Sequence, residues 1–311
     1  MSESYDLIII GGGPAGAAGA VYAARKRLHG AFLTREWGGQ SIVSPEIQNW
    51  IGTPAISGDE LARNLRKHVE AYADNVLTIV APTEVTGFKA TDAGVEATLK
   101  DGRVFAARAA FIATGANRRK LTVPGAAEFD QKGLTYCASC DGLLFTGKDV
   151  CVVGGGNAAF ETALQLSAYC KSVTILVRSE PRADEITVEA ARKKANIRII
   201  TNVDILEVTG VAFVSGIRYR DSKSHTEFSL PVEGIFVEIG HVPSTEWLSG
   251  AVALNESGKI VVDPRTQRTS HPRVWAAGDC TDGLFQQNNI AAGDAVKAME
   301  HLYLALHRGE I

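Results

Sequence analysis

Two stretches of this chain repeat one order of apolar and small residues. The first runs from Leu7-Ile8-Ile9-Ile10 into Gly11-Gly12-Gly13-Pro14-Ala15-Gly16, then into a small-residue helix pattern over 17–27. The second runs from Val150-Cys151-Val152-Val153 into Gly154-Gly155-Gly156-Asn157-Ala158-Ala159, then into a helix pattern over 158–168. Each reaches another apolar run, Ala31-Phe32-Leu33 and Val173-Thr174-Ile175-Leu176-Val177. A short apolar strand, a glycine turn, a helix and a second strand predict a βαβ unit in each place. Between them the periodicity predicts a helix over 58–72 and alternating strands over 77–111. Residues 197–239 again read as strands, and a last helix is predicted over 291–306. Thr114-Gly115-Ala116 and Gly240-His241-Val242-Pro243 break the pattern and predict domain junctions.

Composition changes this picture little. The chain has 311 residues, enough for two domains. Its 45% hydrophobic and 22% charged residues suit a globular enzyme. A net charge of −3 gives no electrostatic reason to expect nucleic acid or an anionic membrane as partner. No apolar run approaches the roughly 20 residues that span a bilayer. A cleaved leader would remove part of the turn that begins at Gly11, so the cytoplasm is the expected compartment. Thiols there are mostly reduced.

The glycine turns carry a physical reading. The first glycine of G-x-G-x-x-G permits a tight turn, the second lets backbone approach a pyrophosphate, and the third lets the helix pack on the strand. The pyrophosphate then meets unpaired N–H groups at the helix N-terminus. Both turns therefore predict dinucleotide binding, the second with Ala159 in place of the last glycine. An acceptor for the ribose hydroxyls is expected about 20 residues on. Glu36 stands in that window after the first turn, either as the acceptor or as a solvated loop residue. Arg178 and Arg182 follow the second, either as partners for a 2′-phosphate or as surface cations.

Five cysteines, at 137, 140, 151, 170 and 280, do not make a disulfide framework in a chain this long. The close pair in Cys137-Ala138-Ser139-Cys140-Asp141 reads as redox chemistry. Zinc is the rival, but a structural zinc site needs about four ligands and no second pair exists; no metal is expected. A helix starting near Cys140 would favour a thiolate. Asp141 can act as the acid beside the pair or as a helix cap. Cys151, Cys170 and Cys280 read as packing residues.

In order along the chain, these motifs resemble the low-molecular-weight, bacterial-type thioredoxin reductases over essentially its whole length. The matches are the turn at 11–16, Gly38-Gly39-Gln40, Ala113-Thr114-Gly115, the Cys-x-x-Cys-Asp segment, the turn at 154–159 and Ala277-Gly278-Asp279. The resemblance implies an α/β fold of two Rossmann-like dinucleotide-binding domains, the second inserted into the first. Residues 1–115 and 243–311 would form the FAD-binding domain, and 116–242 a pyridine-nucleotide-like domain carrying the redox cysteines. FAD contacts are implied at Gly11, Gly13, Gly16, Gln40, Asn49, Asp279 and Gln287, with Pro14, Ala15, Gly39, Thr114, Gly115 and Gly278 in the same motifs. Gly154, Gly156, Asn157, Ala158, Arg178 and Arg182 would hold the second dinucleotide. Homodimers are usual in the family.

The chain departs from that family twice. The NADPH signature is His-Arg-Arg followed shortly by Arg, whereas this chain has Val177-Arg178-Ser179-Glu180-Pro181-Arg182. After the flavin-binding Asp the family commonly has Arg-Gln-Ala, and this chain has Gln286-Gln287-Asn288. Each charge-assisted bond lost weakens NADPH binding by roughly 1.5–3 kcal/mol. The donor therefore stays open between NADPH, NADH and a protein such as ferredoxin. The reading is an FAD-dependent disulfide oxidoreductase passing electrons through Cys137 and Cys140 to thioredoxin. A flavin electron-transfer enzyme of the ferredoxin–NADP reductase type is one alternative, which the cysteine pair argues against. A non-catalytic, redox-sensing FAD protein is the other.

Overall fold

The computed structural model describes residues 5–44, 47, 49–136, 138–248 and 250–311, with Val43, Ser139 and Cys140 described by backbone alone. The chain divides into two compact units, Met1–Asn117 with Val242–Ile311, and Arg118–His241.

Unit one opens with β1 (Tyr5–Ile10), α1 (Pro14–Arg25) and β2 (Gly30–Leu33). It continues with α2 (Gly58–Ala73), β3 (Leu77–Val80), β4 (Val85–Thr91), β5 (Gly94–Leu99) and β6 (Val104–Ile112). The sheet order is β3-β2-β1-β6-β5-β4, parallel through β6 and antiparallel beyond it. Alternation along β1 sends Leu7 and Ile9 into one buried layer and Ile8 and Ile10 into the other, so both faces of the sheet are covered. Helix α1 starts at Pro14, three residues before the small-residue pattern suggests, because proline at the first helical positions needs no N–H partner. Helix α2 is capped by the Ser57 hydroxyl, which accepts from the Glu60 N–H at 3.1 Å.

The strand β7 (Ala116–Arg118) leads into unit two. There β8 (Leu134–Thr135) and α3 (Ala138–Asp141) precede β9 (Asp149–Val153), α4 (Asn157–Leu166), β10 (Ser172–Leu176), α5 (Glu185–Arg192) and β11 (Ile197–Ile200). An antiparallel sheet of β12 (Val203–Gly210), β13 (Val214–Asp221) and β14 (Glu227–Pro231) follows, then β15 (Gly234–Val237). The parallel sheet has the order β11-β10-β9-β15-β8. The chain returns through β16 (His241–Pro243) to β17 (Val274–Ala276), which pairs parallel with β6, and to the long helix α6 (Asn288–His307).

Both units are thus Rossmann-like, and in both the strand order reverses beside the first strand. β1 lies between β2 and β6, and β9 lies between β10 and β15. The crevice at such a reversal, at the carboxyl ends of the strands, is where this architecture receives ligands.

Candidate functional site

The first glycine turn leaves β1 between β2 and β6. The Gly11 N–H donates to the Leu33 carbonyl at 2.9 Å, and the Ala113 N–H donates to the Ile10 carbonyl at 2.8 Å. A Cβ on Gly11, whose φ is +117°, would lie 2.1 Å from the Ala113 carbonyl oxygen. A Cβ on Gly16 would lie 1.8 Å from the Gly11 carbonyl oxygen, so only glycine lets α1 sit this close to β1. At Gly13 the nearest atom would be 3.9 Å away, which leaves its backbone open to a ligand.

This turn lines a cavity of about 410 Å³, within the range of cofactor clefts. Gly11, Gly13, Pro14 and Ala15 come from the turn and the start of α1, and Glu36 from just beyond β2. Gly39 and Gln40 come from the next turn, Thr114 and Gly115 from beyond β6, and Gly278 and Asp279 from beyond β17. Three expected residues stand elsewhere. Gly16 serves helix packing, and the Asn49 side-chain amide donates to Gln287 Oε1 at 3.1 Å. Sequence reasoning missed Thr34, Ser41, Thr83 and Asn288, which also line the cavity. Thr34 donates to the Glu36 carbonyl at 2.7 Å, and Ser41 donates to Asn288 Oδ1 at 2.8 Å. Ser41, next to Gln40, and Asn288, next to Gln287, had neighbours that flagged them.

The second turn repeats the backbone of the first. The Gly154 N–H donates to the Leu176 carbonyl at 3.0 Å, and the Glu238 N–H donates to the Val153 carbonyl at 2.8 Å. A Cβ on Gly154 would lie 2.2 Å from the Glu238 carbonyl oxygen, while one on Gly156 would meet nothing within 4 Å. Asn157 and Ala158 are exposed at the start of α4. The loop after β10 folds back over the turn. The Arg182 N–H donates to the Gly155 carbonyl at 2.6 Å, and Asn157 exchanges bonds of 3.0 and 2.7 Å with Asp184. Arg178 and Arg182 are exposed, whereas Val177 is buried beneath Gly155.

Sequence reasoning also missed Glu238. Its Oε1 accepts from Arg118 Nη1 and from Thr162 Oγ1, each at 3.2 Å, and its side chain is 10% exposed. Burial pushes this carboxyl above the usual carboxylate range, while Arg118 and Thr162 pull it down.

Cys137 and the side chain of Cys140 lie outside the described residues. The helical segment around them starts at Ala138, not at Cys140, and is a single turn. One turn aligns too few peptide dipoles to bias a thiol strongly. Among the described residues the Asp141 side chain caps no helix; its Oδ2 accepts from the Thr135 hydroxyl. Leu143 and Leu144, just beyond it, are 74% and 72% exposed. Cys151, Cys170 and Cys280 are buried free thiols. Burial raises all three pKa values, those of Cys170 and Cys280 to about 11, which keeps them protonated and inert. Among the described residues no helix is long and apolar enough to cross a membrane.

Comparison with known proteins agrees with this geometry. The family model for pyridine nucleotide-disulphide oxidoreductases matches residues 5–300. An alkyl hydroperoxide reductase component of Staphylococcus aureus (strain NCTC 8325 / PS 47) is 40% identical over 297 residues, which are 95% of this chain and 58% of that protein. A Bacillus subtilis (strain 168) protein named NADH dehydrogenase is 38% identical over 297 residues, 95% of this chain and 57% of that protein. The chain spans a little over half the length of these relatives. The solved thioredoxin reductase of Lactococcus lactis superposes with a TM-score of 0.89 at 33% identity, covering 98% of this chain and 99% of that one. That of T. acidophilum does so with a TM-score of 0.86 at 37% identity and the same coverage. With two nucleotide-type turns, a cysteine pair and relatives that match both units, the chain belongs to the pyridine nucleotide-disulphide oxidoreductase family and, within it, to the thioredoxin reductase type.

Proposed function

We propose that this chain is an FAD-dependent disulfide oxidoreductase that draws electrons from NADH and passes them through Cys137 and Cys140 to the disulfide of a thioredoxin. The observation that carries the reading is a division of labour. The first turn opens on a cofactor-sized cavity, and the second heads the unit that contains the cysteine segment. FAD, when bound, supplies a two-electron carrier between a hydride donor and a disulfide. Unit one fits it: Gly13 leaves the backbone open, the free N–H groups of α1 suit a pyrophosphate, and Glu36 suits ribose hydroxyls.

In its dithiol form the pair performs exchange. One thiolate attacks the partner disulfide, one S–S bond breaks and a mixed disulfide forms. The other thiolate then displaces the partner, leaving a Cys137–Cys140 disulfide and a partner dithiol. Asp141, oriented by Thr135, moves a proton to the leaving thiolate. Exposed Leu143 and Leu144 give the partner apolar surface beside the pair.

The donor assignment rests on charge. Val177 and Ser179 carry none and Glu180 is negative, so a 2′-phosphate would find Arg178 and Arg182 alone. NADH has no such phosphate, and the name of the Bacillus subtilis relative points to the same donor. The names of the solved neighbours support thioredoxin as acceptor, while that of the Staphylococcus aureus relative raises a peroxide-reducing partner as the competing outcome. A cytoplasmic homodimer completes the reading.

The test is anaerobic mixing of FAD-loaded protein with NADH, NADPH or reduced ferredoxin, following flavin absorbance, then adding oxidised thioredoxin. Fast bleaching by NADH and reoxidation by thioredoxin are expected. Bleaching by ferredoxin or NADPH alone overturns the donor. Failure of thioredoxin to reoxidise the reduced protein overturns the partner.

A further inference from the structure

The two glycine turns correspond position by position in their hydrogen bonding, and this exposes one unexplained side chain. Gly11 abuts the Ala113 carbonyl, and Gly154 abuts the Glu238 carbonyl. Ala113 and Glu238 each follow the strand across the crevice, each donating its N–H to the last residue of the first strand. At one place in two copies of the same frame, unit one has a buried methyl and unit two has a carboxyl group.

That carboxyl is held. Its Oε1 takes both available bonds, from Arg118 and from Thr162 on α4, while Oε2 makes no hydrogen bond among the described residues. That oxygen is not sealed in the core, so a ligand's donor can take the place of solvent there. The topology says which donor. A dinucleotide crosses the crevice at the strand reversal, its adenosine half at the end of the second strand, here β10. Its other half therefore falls on the β15 side, where Glu238 stands.

We propose that Glu238 recognises the nicotinamide half of a pyridine dinucleotide in unit two, its Oε2 accepting from the carboxamide NH₂ group. This rests on the reading that the second turn binds such a nucleotide. Arg118 and Thr162 are positioning residues that fix the carboxylate by its other oxygen.

Ligands that differ in that half test the proposal on the FAD-loaded protein by calorimetry. NAD⁺ carries the carboxamide, 3-acetylpyridine adenine dinucleotide replaces its NH₂ with a methyl group, and ADP-ribose lacks the ring. Wild type should bind NAD⁺ about tenfold tighter than the acetylpyridine analogue, the scale of one charge-assisted bond. Glu238→Ala should erase that discrimination and leave ADP-ribose affinity within about twofold. Glu238→Gln, nearly isosteric, keeps an acceptor oxygen and should retain part of the discrimination, which preserves the test if the alanine variant folds poorly. Equal wild-type affinity for the two dinucleotides overturns the proposal, as does discrimination that survives Glu238→Ala. Parallel loss of ADP-ribose binding in the variants makes Glu238 merely structural. If wild type binds no ADP-ribose, the nucleotide reading of the second turn itself falls.

Discussion

The first and second glycine turns share a backbone and differ in the side chains around it. Gly16 becomes Ala159, Thr34 becomes Val177, Glu36 becomes Ser179 and Ala113 becomes Glu238. Where the frame demands close approach, at Gly11 and Gly154, both copies keep glycine. Where the frame only borders the crevice, the copies diverge. The third glycine marks the boundary. A Cβ on Gly16 would overlap the Gly11 carbonyl oxygen, whereas Ala159 carries a Cβ 3.0 Å from the place one would occupy on Gly154. The second helix therefore tolerates a methyl group that the first does not. On the proposed reading, backbone geometry makes a dinucleotide turn and the bordering side chains choose the dinucleotide.

The strongest way to separate the units is to remove the chemistry of one. Cys140→Ser should abolish reduction of a protein disulfide while the protein stays yellow, checked by turnover beside the flavin spectrum; retained turnover would refute the assignment. Gly11→Ala should strip FAD from unit one and destabilise the fold by about 1–3 kcal/mol, because the new methyl group meets backbone. Denaturant melts and cofactor content measure both. Rebuilding the phosphate clamp with Val177→His and Ser179→Arg should raise the preference for NADPH over NADH roughly tenfold or more, read from competitive binding.

Subtler contrasts follow from titration. The folded-state pKa of Glu238 is raised, chiefly by burial. The stability this confers is fully present below the ordinary carboxyl range and is lost as pH rises through the raised value. Glu238→Gln stays neutral, so its melting temperature relative to wild type should climb between pH 4 and pH 8. A flat difference would show that the buried carboxyl does not couple to folding. Smallest of all, Cys151, Cys170 and Cys280 should resist alkylation at pH 8 in the folded protein, as mass spectrometry of labelled peptides would show. Burial holds each of these thiols protonated.

Much of this was legible along the chain. Apolar runs of four or five residues meeting a glycine turn and a small-residue helix announced β1-α1-β2 and β9-α4-β10, because those signals are local and backbone-driven. The long helices α2 and α6 were legible for the same reason. The strand β17 was not: three residues are too few to show a period, and its place beside β6 is a long-range pairing. The helix α5 escaped, and the single turn α3 was raised only as a helix near Cys140, both being short and stabilised by what packs on them.

By itself, then, the sequence determined that two nucleotide-type turns and one cysteine pair exist, since steric demands on glycine and the spacing of thiols act between neighbours in the chain. Tertiary structure alone decided what stands across each turn. Ala113 and Glu238 reach their places through parallel pairing with β1 and β9, Thr83 and Asn288 join the first cavity from remote segments, and Arg118 meets Glu238 although 120 positions separate them. Such meetings depend on strand order and register, which arise only when a whole sheet closes on its core.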